Sequence, residues 1–321
     1  MVIHDFAATH RLLPYAALAD EVRVVLLDKK AGIATAPQRL SVPLSNDGIL
    51  LTMPAADRDI AITKLVTVHP HNAARGLPSI NGEVIVMRAG TGERLLLLDG
   101  KAVTMRRTAA ISLLAAKTLA SEIAQHGPML IVGAGAEGKA HLEAFAEWLP
   151  CCDVFVYSRT NAHAQALAQH GQSLGIQAHA VEAMHTLVSR ASIIITCTTS
   201  TAPLFKDDVR DGAMVIAVGA YSHAMCELPH DLVHRSRIVV DTLEGAQHEA
   251  GDLSQAGVDW ARVEALEDVI ARTQYPERSA VSQDQMESKD ASQKVPIVFK
   301  SVGHALWDLA AARLAVKTAT D

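Results

Sequence analysis

The second half of the chain alternates short apolar runs with polar segments of helical length. From Met129 onward the apolar runs are MLIVGAG, DVFVYSR, ASIIITCTTS, AMVIAVGA and SRIVVDT. Continuous apolar runs of this length are typical of strands buried on both faces of a parallel sheet. The segments between the first three runs have helical composition, the first from about Gly138 to Trp148. Strands that alternate with helices predict an α/β fold with a doubly wound parallel sheet.

The first hundred residues carry a different pattern, of strands joined by short loops. Residues 83–100, EVIVMRAGTGERLLLLDG, predict two strands around a Gly-Thr-Gly turn. The segment RRTAAISLLAAKTLASEIA predicts a helix with Thr108 as its N-cap. A polar stretch from Arg272 to Lys294 predicts a surface loop, and the residues after it predict one more strand and a long terminal helix.

Composition narrows the classes of protein to consider. The 321 residues suit two domains, and a 49% hydrophobic share provides for sizeable cores. The formal net charge is -6 and no long Lys/Arg block is present, so we expect no nucleic-acid or membrane partner. The four cysteines form no CxxC pair, which favours reduced thiols. Neither a signal peptide nor a membrane-length apolar stretch is apparent, which favours a cytoplasmic protein.

Three glycines follow the first apolar run, in LIVGAGAEGKAH. Gly133, Gly135 and Gly138 match GxGxxG between a predicted strand and a predicted helix, the context of a Rossmann dinucleotide-binding loop. The first permits the tight turn, the second lets the backbone approach a pyrophosphate, and the third lets helix and strand pack closely. Ala136 and Glu137 complete the predicted cofactor loop. The alternative is a tight turn without a ligand.

The end of the second strand predicts which dinucleotide is bound. About 20 residues after the motif an acid would bind the ribose 2′-hydroxyl of NAD. Ser158, Arg159 and Thr160 stand there instead. A guanidinium matches the geometry of a phosphate, so the sequence predicts NADP(H) as the preferred cofactor, with NAD(H) also accepted. The alternative is a solvated arginine at a strand end.

Three cations in the remaining part of the chain lie among apolar residues. Arg39, Lys64 and Arg107 occur in APQRLSVPL, AITKLVTVHPHNAARGLPS and TMRRTAAIS. Spacing alone does not separate a binding site from cations solvated at the surface.

The chain resembles the ornithine cyclodeaminase/mu-crystallin family over nearly its whole length. The resemblance is carried by MPAADRDIAITKLVTVHPHN, LLLLDGKAVTMRRTAAISLLAAKTLA, LIVGAGAEGKAH, VYSRT, VIAVGA followed by CELP, and VFKSVGHALWDLAAA. It implies a Rossmann NAD(P)-binding domain, residues 121–301, and an α+β substrate-binding domain, residues 1–120 with 302–321, that dimerises through its sheet. The family includes cyclic ketimine reductases, cyclodeaminases, alanine dehydrogenases and a crystallin that binds thyroid hormone.

The same resemblance implies roles for individual residues. Arg39 and Arg107 would bind the substrate carboxylate, and Lys64 would lie over the reacting carbon and nitrogen. Independently of the resemblance, Asn72 in VHPHN is expected to order this loop or to touch substrate. The expected cofactor contacts outside the glycine loop and the VYSRT segment are Ser79, Thr198, Val218, Gly219 and Ser301. Asp308, on the last helix, would orient Lys64 or Arg39, or else form a surface pair.

Three departures from the cyclodeaminase pattern favour reduction over deamination. Tyr221 stands where cyclodeaminases have an essential Asp, and a phenol is a poor substitute for a carboxylate base. Leu51 replaces the Glu that would bind a distal ammonium, and VYSRT replaces the NAD-selecting acid. The predicted reaction is NAD(P)H-dependent reduction of a small cyclic imino acid, Δ1-pyrroline-2-carboxylate or Δ1-piperideine-2-carboxylate, to L-proline or L-pipecolate. An amino-acid dehydrogenase, a cyclodeaminase and a non-enzymatic binder remain alternatives.

The histidine pair in VHPHN is a weaker candidate for chemistry. His69 and His71 flank Pro70, but no third ligand is evident nearby, so we expect no metal site. Tyr221 either closes the substrate pocket or packs as an ordinary side chain.

Overall fold

The computed structural model describes residues 1–120, 127–149, 152–274 and 295–320. The strands are β1 (Val2–His4), β2 (Leu40–Pro43), β3 (Ile49–Ala56), β4 (Ile60–Val68), β5 (Ile80–Arg88), β6 (Arg94–Asp99), β7 (Met129–Val132), β8 (Val154–Tyr157), β9 (Ala178–Val181), β10 (Ile193–Thr196), β11 (Met214–Ala217), β12 (Arg237–Val240), β13 (Glu264–Ala265) and β14 (Ile297–Lys300). The helices are α1 (Phe6–Arg11), α2 (Tyr15–Lys30), α3 (Gly100–Leu119), α4 (Ala136–Trp148), α5 (Asn161–Ser173), α6 (His185–Val188), α7 (His230–Arg235), α8 (Leu243–Glu249), α9 (Gly251–Ala256), α10 (Leu266–Gln274) and α11 (Ala305–Thr320).

The chain divides into two compact units. Unit 1 comprises Met1–Ile111 and His304–Asp321, and unit 2 comprises Ser112–Gly303. The division falls inside α3 and again just after β14. None of the helices in the described ranges combines the length and the apolarity that crossing a bilayer demands.

Unit 1 is built on a six-stranded sheet in the order β1-β6-β5-β4-β3-β2. β1 pairs with β6 in parallel, and the remaining neighbours are antiparallel. Along β4 the side chains alternate, with Ile62, Lys64 and Val66 buried and Leu65 exposed. The C-terminal helix α11 packs on β3, β4 and β5 and against α2. The buried side of β4 therefore carries a lysine among aliphatic residues.

Unit 2 is built on an eight-stranded parallel sheet in the order β13-β12-β14-β11-β10-β7-β8-β9. The four strands at its centre, β14, β11, β10 and β7, are buried at every position, as their continuous apolar sequences predicted. From β7 the chain proceeds to β8 and β9 on one side and to β10 and β11 on the other. The strand order thus reverses between β7 and β10, where this fold forms a ligand crevice at the carboxyl ends of the strands.

Two predicted boundaries are wrong, and the structure shows why. Thr108 is not an N-cap, because α3 begins at Gly100 and Thr108 lies well inside it. The Asp99 carboxylate accepts a hydrogen bond from the Ala102 amide at 2.7 Å, which caps the helix about two turns before the Arg-Arg-Thr segment. The predicted loop from Arg272 to Lys294 begins too early, since α10 continues to Gln274. Residues 275–294 lie outside the described residues.

Candidate active site

The glycine loop of unit 2 joins β7 to α4, and its three glycines have different surroundings. Gly133 has a φ of +117°, and a Cβ there would lie 2.6 Å from the carbonyl oxygen of Cys197. A Cβ on Gly138 would lie 2.1 Å from the carbonyl oxygen of Gly133. A Cβ on Gly135, in contrast, would meet nothing within 4 Å. Turn geometry and packing explain the first and third glycines, while the second leaves open space in front of the backbone.

The start of α4 completes this cradle. Gly135 is the N-cap, and no side chain caps the helix there. The first-turn amides of α4 therefore point outward with the positive end of the helix dipole, which is the arrangement that binds a pyrophosphate. The residues present fit a dinucleotide at this loop.

Cys197 packs against the glycine loop. Its thiol donates to the carbonyl oxygen of Gly133 at 3.2 Å. Burial raises the pKa of this thiol well above its ordinary value, with Glu227 and Glu137 acting in the same direction. The three described cysteines, Cys152, Cys197 and Cys226, are free thiols, and Cys151 lies outside the described residues. Cys197 is therefore a packing residue rather than a nucleophile.

Most of the predicted cofactor residues lie at one edge of the parallel sheet. Because parallel strands end at the same edge, the residues that follow β8, β10, β11 and β14 come together there. They are Ser158, Arg159, Thr160, Thr198, Val218, Gly219 and Ser301. Arg159 is exposed, whereas Ser301 is buried. Ser79 belongs to unit 1, where its carbonyl oxygen accepts a hydrogen bond from the His69 amide.

Two buried carboxylates, whose role no sequence motif indicates, organise this edge. Asp241 follows β12 and is fully buried. It accepts hydrogen bonds from the Ser301 hydroxyl at 2.7 Å and from the Val302 and Gly303 amides at 3.2 and 3.0 Å. Asp241 thereby fixes the loop after β14. Glu227, in the CELP segment, is likewise fully buried and binds the loops after β10 and β11.

A cavity of about 440 Å³ opens near the carboxyl ends of β8 and β9. Tyr157, the last residue of β8, lines it together with Met184, Val188, Leu204 and Phe205. Glu182, His185, Lys206 and Asp208 provide its polar groups. An apolar recess with a few polar groups at its rim is suited to a flat heterocycle.

In unit 1, two of the three predicted cations, Lys64 and Arg107, lie beside one carboxylate. The Lys64 ammonium lies 3.0 and 2.9 Å from the two carboxylate oxygens of Asp308, and both side chains are buried. The Arg107 Nε lies 3.4 Å from Asp308 Oδ1. This Nε is buried and has no hydrogen-bond acceptor within the described part of the chain. Of the two alternatives for Asp308, the surface pair is therefore wrong.

Local structure places each member of this cluster. Strand alternation turns Lys64 to the inner side of the sheet between Ile62 and Val66. Thr104 and Arg107 are three residues apart on α3 and so share one helix face, and Thr104 Oγ1 lies 3.4 Å from the Lys64 Nζ. Asp308 occupies the first turn of α11.

The electrostatic balance at Lys64 is unusual. Burial lowers its pKa to about 8, because the ammonium is desolvated. Asp308 raises the pKa through its charge and hydrogen bond, while the positive charges of Arg107 and Arg39 lower it further. Lys64 is therefore charged at neutral pH yet close to the point at which it releases its proton. Arg39, which immediately precedes β2, lies close enough for its charge to lower the pKa of Lys64.

The loop after β4 holds Asn72 and the histidine pair of the VHPHN segment. Asn72 donates through its amide to the carbonyl oxygen of Pro78 at 2.9 Å, which supports the loop-ordering role. His71 pairs with Asp47 at 3.0 Å, and both are exposed. Within the described ranges, His, Cys, Asp and Glu form no group of three or more that could hold a metal. Leu51 is half-buried on β3, and Tyr221, in unit 2, is 44% exposed.

Comparisons with known proteins cover the whole chain. The model of the ornithine cyclodeaminase/mu-crystallin family matches residues 2–321. The chain is 40% identical to Delta(1)-pyrroline-2-carboxylate reductase 1 of Burkholderia multivorans, across 98% of this chain and 94% of that protein. It is 37% identical to the Delta(1)-pyrroline-2-carboxylate/Delta(1)-piperideine-2-carboxylate reductase of Azospirillum brasilense, with the same coverage.

Solved structures show the same architecture. The Delta(1)-pyrroline-2-carboxylate reductase of Thermococcus litoralis, in complex with NADH and L-proline, is similar with a TM-score of 0.86 and 26% identity. The similarity covers 100% of this chain and 98% of that protein. The α/β fold predicted from the sequence is confirmed.

Proposed function

Since the chain belongs to the ornithine cyclodeaminase/mu-crystallin family, as its motifs predicted, we propose that it reduces a cyclic ketimine carboxylate. The substrate is Δ1-pyrroline-2-carboxylate or Δ1-piperideine-2-carboxylate, the product L-proline or L-pipecolate, and the reductant NADPH or NADH. The names of the relatives from Burkholderia and Azospirillum support this reaction. The observation that carries it is the buried cluster of Lys64, Arg107 and Asp308.

The guanidinium groups of Arg39 and Arg107 bind the substrate carboxylate. Arg107 is nearly buried and its Nε has no acceptor among the described residues, so a carboxylate would complete its hydrogen bonding. A bidentate contact at a desolvated site also fixes the orientation of the ring. Asn72 orders the adjacent loop and lies within reach of substrate in this assignment.

Lys64 supplies the proton. The reduced nicotinamide, when bound, supplies a hydride to the C2 carbon of the imine. The Lys64 ammonium gives its proton to the imine nitrogen, directly or through one water, so that the C=N bond becomes CH–NH. A pKa of about 8 suits this role, because the group is protonated at neutral pH and still acidic enough to donate. Asp308 keeps Lys64 charged and in place.

Unit 2 provides the cofactor site in this proposal. Gly133, Gly135, Ala136, Glu137 and Gly138 hold the pyrophosphate. The cavity beside Tyr157 takes the adenine. Ser158, Arg159 and Thr160 lie after β8, where the ribose 2′ position is read, and the exposed guanidinium of Arg159 favours the 2′-phosphate of NADPH. Thr198, Val218, Gly219 and Ser301 serve the nicotinamide half, and Ser79 is a further cofactor contact.

The sheet of unit 1 supports a homodimer. Its inner side is covered by α11. The other side carries Ile85 and Leu97, which are partners in the strand register, and Leu65, which lies diagonally to Ile85 on β4. These residues are exposed or half-buried in the single chain. A second copy of the same face would cover them.

A substrate panel tests the proposal. The protein is mixed with NADPH or NADH and one of Δ1-pyrroline-2-carboxylate, Δ1-piperideine-2-carboxylate, or pyruvate with ammonium. We expect rapid oxidation with a cyclic imine and a much slower reaction with pyruvate. Oxidation of the cofactor with pyruvate and ammonium but with neither cyclic imine would favour an amino-acid dehydrogenase. Release of ammonia from ornithine would favour a cyclodeaminase. A Lys64→Ala variant that kept full turnover would remove Lys64 from the mechanism.

A further inference from the structure

Glu227 is the centre of a buried hydrogen-bond network at the carboxyl edge of the parallel sheet. Its side chain is fully buried. One carboxylate oxygen, Oε1, accepts from the Thr198 amide at 2.7 Å and from the Thr198 hydroxyl at 2.8 Å. The other, Oε2, accepts from the Gly219 and Ala220 amides at 2.8 and 3.2 Å and from the Thr196 hydroxyl at 3.0 Å. One carboxylate thus joins two loops through opposite oxygens.

The surroundings of Glu227 fix its own position. Its backbone amide and that of Leu228 donate to Asp252 Oδ1 at 2.5 and 2.9 Å. Asp252 in turn lies 2.9 Å from the ammonium of Lys300, and both side chains are fully buried. Burial raises the pKa of the Glu227 carboxyl, while the Lys300 charge and the Thr198 hydrogen bonds oppose that rise. Burying polar groups costs free energy, but a buried network in which every group has its hydrogen-bond partner is rigid.

The absence of a side chain at Gly219 allows the Glu227 carboxylate to approach the backbone closely. A Cβ on Gly219 would lie 2.4 Å from Glu227 Oε1 and 2.2 Å from the carbonyl oxygen of Thr198. Any side chain there would separate the two loops from the carboxylate. The glycine is needed for close approach rather than for an unusual φ, since Gly219 is not among the glycines with positive φ.

The position of the network points to one half of the cofactor. In this fold the residue that reads the adenosine ribose follows the second strand, here β8, and the pyrophosphate lies at the glycine loop after β7. The other mononucleotide half therefore extends across the switch point toward β10 and β11. Thr198 follows β10 and Gly219 follows β11, and these two strands are neighbours in the sheet.

We propose that Glu227 is a positioning residue that sets the spacing of the Thr198 and Gly219 loops and so forms the nicotinamide subsite of the cofactor. This assignment rests on the proposed cofactor role of unit 2. Glu227 itself is buried and acts through the loops that it holds. A glutamine in its place has one acceptor oxygen and one donor nitrogen. Its oxygen can accept hydrogen bonds from one loop, but its NH2 group would then point at the N–H and O–H donors of the other loop.

Dissociation constants for the whole cofactor and for its adenosine half test the proposal. The protein and a Glu227→Gln variant are titrated with NADPH and with 2′-phospho-ADP-ribose, or with NADH and ADP-ribose. We expect the variant to bind the reduced dinucleotide about tenfold or more weakly, and the fragment within about twofold of the unchanged protein. Glu147→Gln is the matched control, because Glu147 is exposed on α4 and should leave both constants unchanged.

Thermal unfolding of each variant accompanies the titrations. If Glu227→Gln does not fold, Thr196→Val removes one buried hydrogen bond to the same carboxylate, and we expect a smaller weakening confined to the whole dinucleotide. Equal weakening of dinucleotide and fragment would overturn the proposal, as would unchanged binding of both. A protein that bound neither NADPH nor NADH would instead overturn the cofactor role of unit 2. Turnover of cyclic imines is not needed for the readout.

Discussion

Replacement of Asp308 by asparagine tests the role of the buried cluster in unit 1. The Lys64 Nζ lies 3.0 and 2.9 Å from the Asp308 oxygens. The Lys64 pKa of about 8 is the balance of burial, which lowers it, and the Asp308 charge, which raises it. An opposite charge at such a distance changes a pKa by about one to three. Asp308→Asn should therefore move the loss of the Lys64 proton to lower pH by at least about one pH unit.

The sign of the effect follows from the proposed proton transfer. If the Lys64 ammonium is the active form, kcat/KM falls as pH rises through about 8. A displacement of one pH unit in the variant lowers kcat/KM about fivefold further at pH 8 than at pH 6. The loss of the Asp308 contact to Arg107 adds a factor that we expect to be the same at every pH.

The assay is the pH dependence of kcat/KM for both proteins with the same cyclic imine. Ionisation of the substrate itself cancels in the ratio of variant to unchanged protein. Asp57→Asn is the matched control, because Asp57 is a nearly buried carboxylate that pairs with Arg313 on the same helix α11. A ratio for Asp308→Asn that is constant from pH 6 to pH 9 would refute the coupling of Lys64 to Asp308.

Three further variants test other parts of the account. Arg159→Ala should lower kcat/KM with NADPH by about tenfold or more and leave NADH within about twofold, because only the 2′-phosphate contact is lost; equal losses would argue against a phosphate contact. Leu65→Arg places a charge on the exposed side of the unit 1 sheet and should convert a dimer to a monomer in light scattering; an unchanged mass would place the dimer contact elsewhere. Gly138→Ala brings a Cβ within 2.1 Å of the Gly133 carbonyl oxygen and should lower Tm by several degrees, whereas Gly90→Ala, whose Cβ meets nothing within 4 Å, should not.

Much of unit 2 could be predicted because its signals are local. The runs MLIV, IIIT and MVIA are strands at every position, and the glycine loop lies between β7 and α4 as the motif predicted. Parallel strand topology then places the residues after these strands at one edge without any knowledge of side-chain contacts.

The parts that could not be predicted depend on contacts between distant residues. Lys64 and Asp308 are 244 positions apart, so sequence spacing could not show that they form a buried pair. The prediction of Thr108 as a cap is wrong because Asp99, which caps α3, is also the last residue of a strand. Glu227 carries no local pattern, and its role appears only once the loops after β10 and β11 are adjacent.

The measurement that tests the central claim most directly is the fate of the hydride. NADPH carrying deuterium on the transferred position of its nicotinamide is incubated with the protein and Δ1-pyrroline-2-carboxylate, and the product is analysed by chiral chromatography and mass spectrometry. We expect L-proline with one deuterium at C2 and none elsewhere. The absence of labelled proline from protein that binds NADPH would contradict the assignment of this chain as a ketimine reductase.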